Sequence, residues 1–161
     1  MDNDNALKGL SLLRIALGVW FLKLGLAHID LAHFPQAGGH WHREMDRLFT
    51  LYLSKHPYPW FVSFVQSQVL PHKELFVNYT SVLELAAGAL LFLGLLTPLI
   101  SLLMIPYALF FMLLEVHYGL GPQGLYFALA VACVAFIMAR AGRVWGLDFI
   151  PAGIAPGLPL W

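Results

Sequence analysis

Glu84 stands in the middle of an apolar run, VLELAAGALL, and three other ionisable residues, Arg14, Lys23 and Glu115, are placed the same way. His28 and His117 close the ends of two such runs. Placing an ionisable group in hydrocarbon costs at least ~2.5 kcal/mol on insertion scales, so each is a candidate for chemistry. Desolvation favours the uncharged form of a carboxyl, and an uncharged carboxyl can hydrogen-bond the carbonyl of a quinone ring or pass a proton. The simpler alternative for Glu84 is a structural ion pair, with Arg14 or Lys23 as cation. For Lys23 it is to snorkel to the lipid headgroups.

A second polar concentration is GGHWHREMDR at 38–47. Its charges fit the wet face of an interfacial helix entered through a Gly38-Gly39 hinge; the sharper alternative is that His40 and His42 cover, or proton-couple, a site beneath. Apart from Glu44, His40-x-His42 finds no third ligand at workable spacing, so no metal site is expected. A haem held by His28 and His117 would need ligands deeper in a bundle than two helix ends provide. With Cys133 as the single cysteine, the chain cannot run a thiol-disulfide cycle by itself.

These residues need elements to position them, and the composition says which. The chain is 60% hydrophobic and 11% charged, with a mean hydropathy of +0.73, which is the profile of an integral membrane protein. Nine basic residues balance nine acidic ones, so nucleic acid is not an expected partner. The first apolar run has no basic cluster before it and no small-residue cleavage site, so it is expected to stay in the mature protein. The 161 residues form one membrane domain. Four apolar segments, about 10–28, 76–96, 99–116 and 125–139, are near the length that crosses ~30 Å of hydrocarbon, and only helices satisfy their amides there. Thr97-Pro98 and the turn at 118–123 force antiparallel neighbours, and Pro106 is expected to kink the third span.

The long connection, 29–75, reads as two amphipathic helices, about 42–54 and 59–70. The first places Met45, Leu48, Phe49, Tyr52 and Leu53 on one face; the second places Phe61, Phe64, Val65, Gln68 and Val69. Both are expected to lie in the interface or to cap the bundle, with Trp41, Tyr58 and Trp60 at headgroup depth. At about 100° per residue, Arg14, Gly18, Phe21, Gly25 and His28 share one face of the first span, and Glu84, Ala87, Gly88, Leu91 and Leu95 one face of the second. These glycine-bearing faces are expected to meet. Glu84 then lies ~12 Å below the long-loop surface, with Lys23, Glu115, His28 and His117 nearer to it and Arg14 in the other half. The tail, 149–161, carries Pro and Gly throughout and is expected to be extended against a partner.

LLRIALGVWFLKLGLAHI (12–29), LELAAGALLFLGLLTPLISLLM (83–104) and ARAGRVWGLD (139–148) together resemble the DoxX/DoxD family of small four-helix membrane proteins, which includes the DoxD-like membrane subunit of thiosulfate:quinone oxidoreductase. The resemblance makes Arg14, Gly25, Glu84, Gly142, Arg143, Leu147 and Asp148 the family positions; the chain departs from it at His28, where lysine is the commoner residue. It implies a membrane subunit of a quinone-linked oxidoreductase and electron-transport system, working with a partner chain.

The reading that combines these features is an all-α integral membrane four-helix bundle, a quinone-facing subunit of a redox system. In it Glu84, Arg14, His28 and Lys23 bound the polar end of an apolar pocket, with Trp20, Phe21, Tyr107 and His117 as ring contacts. Quinone is the expected cofactor, with none held covalently. The alternative is a non-catalytic accessory subunit that fills a groove in a larger bioenergetic complex. A small transporter would call for an inverted repeat, which is not detectable. Basic residues are equally divided between the two sides; the termini are assigned to the cytoplasm of a cell membrane because charges in a long loop count less.

Overall fold

The computed structural model describes residues 2–116 and 119–154 and is an all-α bundle. Helix α1 runs from Asp2 to His28, α2 from Gly39 to Leu53, α3 from Pro59 to Phe64, α4 from Lys73 to Leu93, α5 from Thr97 to Leu114, α6 from Leu120 to Ala139, and α7 from Phe149 to Ile154. Among the described residues, four helical stretches are long and apolar enough to cross a membrane. The protein is therefore a multi-pass membrane protein whose environment is the lipid bilayer. Leu12, Val19, Leu102, Phe127 and Met138 are exposed on the outside of the bundle, as lipid-facing residues must be.

The closest helix pairs are α1 with α4 and α5 with α6. The first pair meets on the two faces expected from the sequence. A Cβ added to Gly25 would sit 2.5 Å from Leu85 Cα, one on Gly88 2.6 Å from Leu22 Cα, and one on Gly18 2.7 Å from Phe92 Cα. Backbone therefore lies on backbone along the whole seam, which glycine alone allows. Between the two pairs runs an aromatic layer: Tyr107 contacts Phe21 edge-on at 6.2 Å between centroids and Phe111 at 4.7 Å, and Phe111 stacks on Tyr126 at 5.7 Å. Gly94, at φ +63°, ends α4, and Leu95 N–H reaches back to Leu90 O, so the chain turns at once into α5 with Pro98 in its first turn.

The long connection caps the bundle. Trp41, Met45, Phe49 and Tyr52 form the buried stripe of α2, and Phe49 meets Phe76 of α4. The stripe begins one turn earlier than expected, and Trp41 is buried instead of lying at headgroup depth; Tyr58 and Trp60 are exposed.

Three further boundaries differ from the sequence reading. The second loop helix is not separate: α3 continues through a π turn at Val65–Val69 and a 3₁₀ turn at Leu70–His72 directly into α4. Pro71 has no N–H to continue an α ladder, and the π bond from Leu70 N–H to Val65 O absorbs the mismatch. Helix α6 starts at Leu120, not near 125, since Pro122 falls in its first turn, where a missing N–H costs nothing; that gives the fourth span full length. The tail, expected to be extended, begins as the short helix α7, with Pro151 again in the first turn. His117 and residues 155–161 lie outside the described residues.

Candidate functional site

Glu84 lies on the α1-facing side of α4, buried beneath α2. Each of its carboxylate oxygens has its own partner. His28 Nδ1, from the last turn of α1, is 2.5 Å from Oε2, and Tyr107 of α5 donates its hydroxyl to Oε1 at 2.5 Å. Three helices thus converge on one carboxyl group. A lone carboxylate would be costly here, but a proton shared between His28 and Glu84 leaves the pair without net charge, whichever of the two holds it.

Trp41 stacks flat on the His28 imidazole, with centroids 3.7 Å apart and planes 7° from parallel. Its indole N–H points to Thr80 Oγ1 at 3.5 Å, and the Thr80 hydroxyl donates to Val77 O. The entry to α2 is tied to the same place: Gly38 N–H donates to His28 O at 2.8 Å and Ala37 N–H to Asn78 Oδ1 at 2.8 Å. Tyr107 and Thr80 are also walls of an apolar cavity of ≈ 200 Å³ between α4 and α5, completed by Leu83, Pro106 and Phe111. Phe76, Tyr79 and Phe110 separate it from a larger apolar groove of ≈ 470 Å³ that reaches Phe64, Val69 and His72.

Of the residues expected at the site, Glu84, His28, Tyr107 and Phe21 are brought together. Arg14 is not with them. It is buried fourteen residues away along α1, ~21 Å at 1.5 Å per residue, and it donates to Leu91 O at 2.6 Å and Trp145 O at 2.8 Å. There it belongs to a clasp at the terminal end: the Asp148 carboxylate accepts from Thr97 N–H at 3.1 Å and so caps α5, while Asp148 N–H donates to Gly94 O at 2.8 Å. A side chain on Gly142 would collide with Asp148 and Thr97, and one on Gly94 with Arg14. The family-like closing signature is therefore a structural joint.

Lys23 is exposed, its Nζ 5.9 Å from the centroid of the Trp20 ring, and Trp20 is itself 51% exposed. Both are off the pocket because the glycine seam turns the Gly18–Gly25 face of α1 inward, leaving Trp20 and Lys23 to the lipid side. His40 is exposed and His42 half-buried; the residue between them, Trp41, covers the site. Sequence reasoning placed Trp41 at the surface and did not single out Thr80. The available signal was that Trp41 precedes Met45 by one helical turn and so continues its apolar stripe. Burial pushes the carboxyl of Glu115, just beyond α5, above the ordinary range, and the Tyr126 hydroxyl partly offsets the rise.

Compared with known proteins, residues 9–118, more than half of the chain, match the family model described as DoxX. No curated protein and no solved structure matches.

Proposed function

The chain belongs to the DoxX family, and from that premise we propose that it is the quinone-facing membrane subunit of an oxidoreductase, with its termini on the cytoplasmic face of the cell membrane. The observation that carries this reading is that Tyr107 joins two environments: its hydroxyl is bonded to buried Glu84, and its ring is a wall of the apolar cavity. The cavity's chemistry fits a quinone head, since apolar and aromatic walls would hold a ring, and the Tyr107 hydroxyl would meet a carbonyl oxygen by turning its proton from Glu84 to the ligand. A bound quinone would supply redox chemistry in which electrons and protons are taken up together. Within this chain, Tyr107 orients the ring and exchanges a proton at Oη, Glu84 holds that proton, and His28 balances its charge. Electrons come from a partner subunit, because the one cysteine, Cys133, is buried and cannot cycle alone.

The test is quinone titration of the purified full-length protein in lipid nanodiscs, with quinone extraction from the preparation. Saturable binding that weakens in Tyr107→Phe supports the reading; absence of both bound and titratable quinone refutes it. An accessory, non-catalytic role is favoured by one feature, the full occupancy of both Glu84 oxygens, which lets the cluster act as a lock between α1, α4 and α5. If Glu84→Gln reduces assembly with the partner subunit while the assembled complex keeps full turnover, that second role is the correct one.

A further inference from the structure

We infer that Glu84 exchanges its proton with water on the long-loop side through His28, and that Trp41 of α2 is the lid over this route. The inference rests on the reading of the Tyr107 cavity as the place where the proton is used.

Exposure points to His28 as the outer end of the cluster. Its side chain is 18% exposed, against 1% for Glu84, and Tyr107 is 9% exposed as a residue. Below Glu84 the seam between α1 and α4 is shut. At Gly25, Gly88 and Gly18 the backbones of α1 and α4 approach so closely that a single Cβ does not fit, which leaves no space for a file of water from the terminal end along this seam. Above Glu84, the imidazole face is covered by the Trp41 indole, and the chain enters α2 through Gly38, hydrogen-bonded to the carbonyl of His28 itself. Trp41 is held by that stacking and by its place in the buried stripe of α2, its 3.5 Å bond to Thr80 being long.

The step is a proton exchange in which no electrons move. A proton-bearing group in the cavity gives its proton to Tyr107 Oη as Tyr107 gives its own to Glu84 Oε1; Glu84 passes one from Oε2 to His28 Nδ1, and His28 releases one from Nε2 to water. Each side chain ends with as many protons as it began, and one proton has crossed from cavity to loop side. The reverse direction uses the same groups. The ionisable groups around His28 are Glu84 from α4 and, beyond it, Tyr107 from α5; α2 presents Trp41, which does not ionise, flanked by exposed His40 and half-buried His42. Asp30, on the turn after α1, is engaged by His33 and Ala32 N–H.

The experiment is infrared spectroscopy of the full-length protein in nanodiscs, without quinone, as the buffer is switched from H2O to D2O. The Glu84 band is identified by its loss in Glu84→Gln. His28→Asn, which keeps a hydrogen-bond donor near Glu84 but cannot carry a proton through, is expected to slow exchange about tenfold, and Trp41→Ala to speed it about tenfold, while Trp41→Phe stays near wild type. Exchange in His28→Asn at the wild-type rate, equal rates in Trp41→Ala and Trp41→Phe, or the absence of an exchanging Glu84 band overturns the inference. If His28→Asn does not fold, the Trp41 pair alone decides. Since no quinone is present, failed quinone binding leaves these rates untouched, and unchanged rates beside intact binding overturn the route alone.

Discussion

Tyr107→Phe isolates one atom of the site. The substitution removes the hydroxyl that donates to Glu84 Oε1 and leaves the ring, with its contacts to Phe21 and Phe111, in place. No cavity larger than an oxygen is made, so the cost is that of an acceptor left without its donor. Coupling between neutral hydrogen-bonding groups inside membranes averages ~0.6 kcal/mol, whereas bonds to charged groups are worth ~1.5–3 kcal/mol. The near-complete burial of Glu84, at 1% exposure, puts the cost above the first figure whichever charge it carries, because no water can replace the donor and a buried acceptor left unpaired costs ~1–3 kcal/mol. The expected loss is therefore about 2 kcal/mol, roughly thirtyfold in the unfolding equilibrium. Reversible unfolding in mixed micelles measures it, and the same substitution in a Glu84→Leu background separates the bond from the ring. In that background Tyr107→Phe should cost almost nothing. A wild-type loss below ~0.6 kcal/mol, or an equal loss in both backgrounds, refutes the assignment of Tyr107 as the donor that holds Glu84.

Arg14→Leu removes the bonds to Leu91 O and Trp145 O and leaves Asp148 without a nearby cation; a loss of about 3–5 kcal/mol in unfolding free energy is expected, with quinone affinity of the folded fraction unchanged. Gly25→Val should force α1 off α4 and lower the thermal midpoint sharply, whereas Gly9→Ala, a site where an added Cβ meets nothing, should raise stability by ~0.5–1 kcal/mol; equal effects would refute the seam. Because the folded state holds the Glu115 carboxyl above its ordinary range, its contribution to stability is fully present below the unfolded pKa and is lost as pH rises through the raised value. Thermal midpoints measured across that window should fall in wild type more than in Glu115→Gln, and identical slopes in the two would refute the burial of this group.

Much of the architecture was legible in the sequence because it depends on local quantities. Segment length and hydropathy fix the number of spans, and the spacing of Gly18 and Gly25 against Glu84 and Gly88 fixes which faces of α1 and α4 meet. The depth of Glu84 follows from counting residues. Several of the boundaries that differ lie at prolines. Pro71 follows the expected end of the second loop helix and Pro122 lies within the expected turn at 118–123, yet a π turn absorbs the first and a first-turn position tolerates the second.

What the linear chain determined by itself is that a membrane bundle buries Glu84 against another helix near the loop end, since period and apolar length are properties of consecutive residues. Tertiary structure alone decided that its partners are His28 and Tyr107, and that Arg14 closes the opposite end. Periodicity sets the direction in which a side chain points but not the axial offset between two helices; here the offset comes from glycines seated against particular residues of the facing helix. The same holds for Trp41, whose stacking on His28 depends on where α2 comes to rest, a quantity set by contacts far apart in the chain.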